Sequence, residues 1–133
     1  SAMQHLSPDE VAELRELLLQ ERKNLLLRAG AFVHESTGFA PDSGDRQDAG
    51  ALEAQRACIA RLAAHDRHQL KEVEAALRRL AEGTYGVCEE TDEAIPLGRL
   101  RLQPTARYTV EAQEDLENEV ARRREHDDES GAY

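Results

Sequence analysis

The chain has little from which to build an aromatic core: no Trp, three Tyr and two Phe in 133 residues. Leu and Ala dominate its apolar part and a third of its residues are charged, the balance of long helices and coiled coils. No apolar run approaches the roughly 20 residues that span a bilayer. No signal-peptide pattern precedes the first helical stretch, so a cytoplasmic protein without a membrane partner is expected. Basic residues are also short, 17 Lys and Arg against 27 Asp and Glu, for a formal net charge of −10. Neutralising phosphates takes clustered cations, so the balance argues against direct nucleic-acid binding and for protein partners. There is no phosphate-cradling Gly motif and no nucleophile with a base at a meaningful spacing, so no enzyme and no catalytic residue is expected.

Cysteine is limited to Cys58 and Cys88. If Cys58 lies in a helix ending near Ala81, roughly 20 or more helical residues separate the two, about 35 Å at 1.5 Å per residue. A disulfide requires Cα atoms within about 7 Å, which leaves two lone thiols of a reducing compartment.

What is present is helical. Ser7-Pro8-Asp9-Glu10 combines an N-cap Ser, a Pro at the first helical position and a Glu three residues after the cap, a capping box. Val11, Leu14, Leu18, Leu25 and Phe32 then trace a coiled-coil seam with Glu21 and Arg28 as polar interruptions, predicting a helix to about Glu35. Leu17, Leu19, Leu26 and Leu27 widen its apolar face, which predicts contact with a further element. Ser36 to Gly44 has turn composition. A second pattern begins near Asp48, with Leu52, Ile59, Leu70, Val73, Leu77 and Leu80 in threes and fours and Arg56, Ala63 and Asp66 at the intervening seam positions. It ends at Gly83, a C-terminal cap. Pro96 and Pro104 bracket a short connector, a third helix is predicted over 108–124, and the polar tail from Glu125 is expected to fray. Ser1, Ala2 and Met3 read as a cloning remnant.

The expected fold is therefore all-α. A long antiparallel coiled-coil hairpin, about 45 Å long, covers residues 7–82 with its tip at about 36–48. A small globular base covers 83–133, with helix 108–124 packing at the foot of the hairpin.

Between Gly83 and Gln113 the chain has the outline of a four-cysteine zinc finger, Cys-x-x-Cys, a short connector, and Cys-x-x-Cys. The four positions hold Cys88, Thr91, Thr109 and Ala112. A Thr hydroxyl stays protonated near neutral pH, Ala offers no donor, and one thiolate cannot build a closed tetrahedral site. No zinc and no other cofactor is expected. His5, His34, His68 and His126 show no ligand spacing with Cys88, and solvated or capping roles are expected for them.

The string around those positions, Thr84-Tyr85-Gly86-Val87-Cys88, then Ile95-Pro96, Arg99-Leu100 and Pro104-Thr105-Ala106, closely resembles the bacterial DksA/TraR family. The resemblance implies a hairpin that enters the secondary channel of RNA polymerase and places tip acids near the active-site Mg²⁺, without contact to DNA. The family tip, Asp-x-x-Asp-x-Ala, matches Asp45, Asp48 and Gly50 when counted back without gaps from Cys88. A shifted register would use Asp42, Asp45 and Gln47, and neither register has the Ala. Asp45 and Asp48 equally suit the N-cap of the second helix. Arg61 and His65, one turn apart on that helix, match basic residues of the family that face polymerase, or are simply solvated.

Family members act with guanosine tetraphosphate, held partly by cations. The matching positions here are Glu72, Gln103 and Gln113, so weak or absent response to that nucleotide is expected. A monomeric, zinc-independent transcription regulator is the leading expectation. A helical adaptor that keeps the scaffold without regulating polymerase is the alternative.

Overall fold

The computed structural model describes residues 3–37 and 47–131, and within these bounds it is helical. In chain order the helices are α1 (Pro8–Thr37), α2 (Gln47–Arg61), α3 (Ala64–Glu82), α4 (Leu97–Leu102) and α5 (Val110–Gly131). The expected capping box starts α1. The Ser7 N–H donates to Glu10 Oε1 at 2.8 Å and the Glu10 N–H to Ser7 Oγ at 3.1 Å, satisfying two amides that a helix start otherwise leaves free.

α1 packs against both α2 and α3. The ion pairs Arg28–Asp66 and Arg22–Glu74 climb one helix as they descend the other, which makes the pairing antiparallel. Leu14, Leu18 and Leu25 of α1 and Leu70, Val73, Ala76 and Leu80 of α3 are buried. They merge with Tyr85, Ile95, Leu100 and Ala112 into one core at the foot of the hairpin. Leu17, Leu19 and Leu27 remain substantially exposed. Of the wider apolar face expected of α1, Leu26 packs on the core and Leu17 lines a cleft beside Leu102 of α4, while Leu19 and Leu27 stay largely exposed among the described residues. The side chain of Phe32 lies outside the described residues.

The second arm departs from the expected unbroken helix. α2 ends at Arg61 and α3 begins at Ala64, with Ala63 extended (φ −60°, ψ 154°) and no side chain capping α3. No Gly or Pro lies between Gly50 and Gly83, so the break is a tertiary effect. On a continuous helix Ala63 would occupy the seam between Ile59 and Leu70, and its small side chain would leave that stretch underfilled. In the broken arm Leu62 is buried, 5% exposed, in the common core, while Ala63 is exposed. Burying a Leu yields about 1.5–3 kcal/mol. The break leaves about four amides without an intrahelical partner, at about 1 kcal/mol each, so the two effects are of the same order.

α3 closes as expected at Gly83, left-handed at φ 81°. The Thr84 N–H reaches Arg79 O at 2.9 Å and the Gly83 N–H reaches Leu80 O at 3.4 Å, a Schellman motif. α5 runs to Gly131, beyond the expected end at 124 and through the tail expected to fray. Ala112 is buried on its first turn, whereas residues 117–128 are exposed. Contact with the base is thus confined to the start of α5. Among the described residues no helix is long and apolar enough to cross a membrane.

Candidate functional site

Residues 84–112 form the base. Tyr85 is fully buried and its hydroxyl donates to the Pro104 carbonyl at 2.7 Å; burial pushes its pKa up to about 12, against the opposing influence of Arg79. Gly86, left-handed at φ 80°, lets the backbone lie close under His5 and Leu6; a Cβ there would sit 3.2 Å from Leu6 Cδ1. A tight loop follows. Ile95 N–H donates to Gly86 O at 2.8 Å, Cys88 N–H to Glu93 O at 2.8 Å and Asp92 N–H to Cys88 O at 2.9 Å, with Val87 and Ala94 forming an isolated antiparallel bridge.

Thr91 and Thr109 both meet the Cys88 thiol, and Ala112 joins them through Thr109. The Cys88 thiol is buried, and the Thr109 hydroxyl donates toward its sulfur at 4.0 Å while accepting from the Ala112 N–H at 3.2 Å. Thr91 accepts from the Glu93 N–H at 3.3 Å. Burial raises the thiol pKa. Thr91 and the backbone N–H groups of Thr109, Glu90 and Thr91 lower it further than burial raises it, to about 7. This donor set does not fit zinc, which takes thiolate, imidazole or carboxylate ligands. One sulfur, two engaged hydroxyls and a methyl group stand where four thiolates would be required. Among the described residues no group of three or more His, Cys, Asp or Glu could hold a metal ion.

Polar contacts tie the base to the hairpin. Arg107 donates to Glu72 of α3 at 2.8 and 3.4 Å and to Glu89 of the loop at 2.9 Å. Arg107 holds the Glu72 carboxyl below the usual range, against the opposing effect of burial. The Arg107 carbonyl in turn accepts from the Glu89 N–H at 2.8 Å. Arg101 of α4 forks onto Glu13 of α1 at 2.7 and 3.2 Å, and Arg99 Nε donates to Tyr108 O at 2.8 Å. From the N-terminal side, the His5 ring bonds Ile95 O at 2.9 Å and Met3 packs on the core, so Met3 is part of the fold despite reading as a remnant.

Neither the Arg107 clasp nor the His5 strap is foreshadowed by a sequence pattern. Their only advance signals are an Arg beside Ala106 and a His before the first cap, neither distinctive.

The other predicted residues are dispersed. Asp42 and Asp45 lie outside the described residues. Asp48 is the second residue of α2, with its side chain outside the description, and Gly50 lies exposed in that helix with open space around it. Arg61 and His65 are both exposed, but they fall on opposite sides of the break. They are therefore not one turn apart on a single helix, a correction that follows from Leu62 turning inward. Glu72 is held by Arg107. Gln103 lines a cleft of about 320 Å³ with Gln69, Leu17 and Leu102, and Gln113 donates to Glu117 at 3.0 Å.

A helical hairpin standing on a small finger-like base, with one cysteine among its four finger positions, defines the class. Residues 83–118 match the family described as the prokaryotic dksA/traR C4-type zinc finger. The chain is 35% identical over 100 residues to the RNA polymerase-binding transcription factor DksA of Caulobacter vibrioides, covering 75% of this chain and 70% of that protein. It is 45% identical over 73 residues to general stress protein 16O of Bacillus subtilis, covering 55% of this chain and 45% of the relative. The structure of transcription factor DksA2 from Pseudomonas aeruginosa matches with a TM-score of 0.60 at 32% identity, over 86% of this chain and 88% of that one. The chain belongs to the DksA/TraR family.

Proposed function

We propose that this protein regulates transcription by binding RNA polymerase, with the hairpin entering the secondary channel and Asp45 and Asp48 acting near the active-site Mg²⁺. The observation that carries the reading is its 35% identity to an RNA polymerase-binding transcription factor across 70% of that protein. Mg²⁺ prefers oxygen ligands, and a thin hairpin of residues 7–82 can carry carboxylates into a confined site that a globule cannot reach. Residues 83–133 then serve as the base that stays outside, with exposed Arg61 and His65 free to meet polymerase. The net charge of −10 fits a regulator that acts without DNA contact, as a monomer, in the cytoplasm and without enzymatic activity. Co-purification with core polymerase and a changed open-complex lifetime test it; no binding at saturating protein would refute it.

The protein works without zinc in this reading. The support is the donor set at Cys88, Thr91, Thr109 and Ala112 together with the Arg107 clasp, which links base to hairpin by other means. A stoichiometric zinc signal in the purified protein, or unfolding by chelator, would refute it. Response to guanosine tetraphosphate is weak or absent: Glu72 carries negative charge, Gln103 and Gln113 are neutral, and the nearby Arg101 and Arg107 are committed to carboxylates.

The adaptor reading, in which the scaffold binds another protein without regulating polymerase, draws on Gly50, which stands where the family tip has Ala. Co-purification with core polymerase separates the two readings, and no effect of a saturating amount on open-complex lifetime would favour the adaptor.

A further inference from the structure

We propose that the joint at Leu62–Ala63 is a two-state switch in the second arm of the hairpin, in which Leu62 and Ala63 compete for one place on the seam with α1. Counting back in threes and fours from Val73 and Leu70 places Asp66, Ala63 and Ile59 on that seam if the arm is one continuous helix. The broken arm substitutes Leu62, which is buried, and turns Ala63 out to solvent. Each state satisfies what the other lacks. The continuous arm has an unbroken run of helix-forming residues, two of them Ala. The broken arm fills the core.

The α3 side of the joint is held. Asp66, on the first turn of α3, pairs with Arg28 of α1 at 3.1 Å, and Leu70 and Val73 are buried just beyond it. The α2 side has weaker anchors: Ile59 is only partly buried and Leu52 is 48% exposed. Winding Leu62 and Ala63 back into the helix therefore turns α2 about its axis relative to α3. The surface that α2 offers to a partner changes with it, including the angle between Arg61 and His65. The switch is a property of the free protein and does not depend on the polymerase reading.

The test is ¹⁵N relaxation dispersion on the free, full-length chain, with Cα chemical shifts at Leu62 to Asp66. The wild type is expected to show exchange at these amides. Ala64→Pro suits the broken arm, since residue 64 is the first of α3 and Ala63 before it is already extended; it cannot enter a continuous helix without losing a hydrogen bond and clashing. This variant should fold with an unchanged or higher Tm and lose the exchange. Exchanging the two side chains, Leu62→Ala with Ala63→Leu, should move the Cα shifts of residues 62–64 to helical values. A wild type without exchange at the joint, exchange that persists in Ala64→Pro, or a loss of fold in Ala64→Pro would each overturn the proposal. Should the exchanged pair fail to fold, the wild type and Ala64→Pro decide it.

Discussion

Arg107→Ala tests most sharply how far polar contacts hold the base to the hairpin. The side chain makes two contacts to Glu72, which is 21% exposed, and one to Glu89, which is 40% exposed. The Glu89 contact, being solvent-screened, is worth about 0–1 kcal/mol. The forked, charge-assisted contact to Glu72 is worth about 1.5–3 kcal/mol, and its loss leaves a half-buried carboxylate unpaired. The expected cost is about 2–3 kcal/mol, or roughly 6–12 °C in Tm for a chain of this size.

The pH dependence is specific. Glu72 is depressed in the folded protein, so its contribution is fully present above the unfolded carboxyl value, about 4.3. It is lost as pH falls through the lower folded value. The stability gap between wild type and Arg107→Ala should therefore be full at pH 7 and shrink below about pH 4. Urea denaturation at pH 7 and at successively lower pH measures both. A gap below about 0.5 kcal/mol at pH 7, or one that widens in acid, would refute the reasoning.

Gly86→Ala should destabilise the base by about 1–3 kcal/mol, because the residue is left-handed and its new Cβ would press on Leu6; a neutral effect in thermal denaturation would contradict the close approach of the N-terminal strap. Gly50→Ala should instead stabilise by about 1 kcal/mol, since Gly50 lies inside α2 with nothing within 4 Å of the added methyl; calorimetry checks it. The Cys88 thiol is held at about 7 in the fold against about 8.5 when unfolded. A depressed acid contributes stability above the unfolded value and loses it as pH falls through the folded one, so stability should rise between about pH 7 and pH 9. Cys88→Ala should flatten that slope, as read from urea midpoints.

Features set by local chemistry were readable from the chain: the Ser7 to Glu10 box, the Leu14 to Leu25 stripe, and the Gly83 cap each depend on neighbours within a few turns. The string from Gly83 to Gln113 was equally direct and placed Cys88, Thr109 and Ala112 together. The break at Leu62 was not readable, because no residue there disfavours helix and the break goes with burial of Leu62 in the common core. Arg107 and His5 escaped for a related reason. Their partners are 35 and 90 residues away in sequence, and no spacing rule connects an Arg in a connector to a Glu on a helix. The length of α5 was underestimated, since its polar residues give no apolar stripe to count and its helix persists with little packing.

In the proposed function the hairpin brings acidic residues to bear on RNA polymerase. In vitro transcription with wild-type protein, Asp45→Asn and Asp48→Asn, with polymerase binding measured in parallel, tests it most directly. The variants should bind polymerase as the wild type does and lose its effect on transcription. Variants that regulate as well as the wild type, or a wild type that has no effect at saturation, would contradict it.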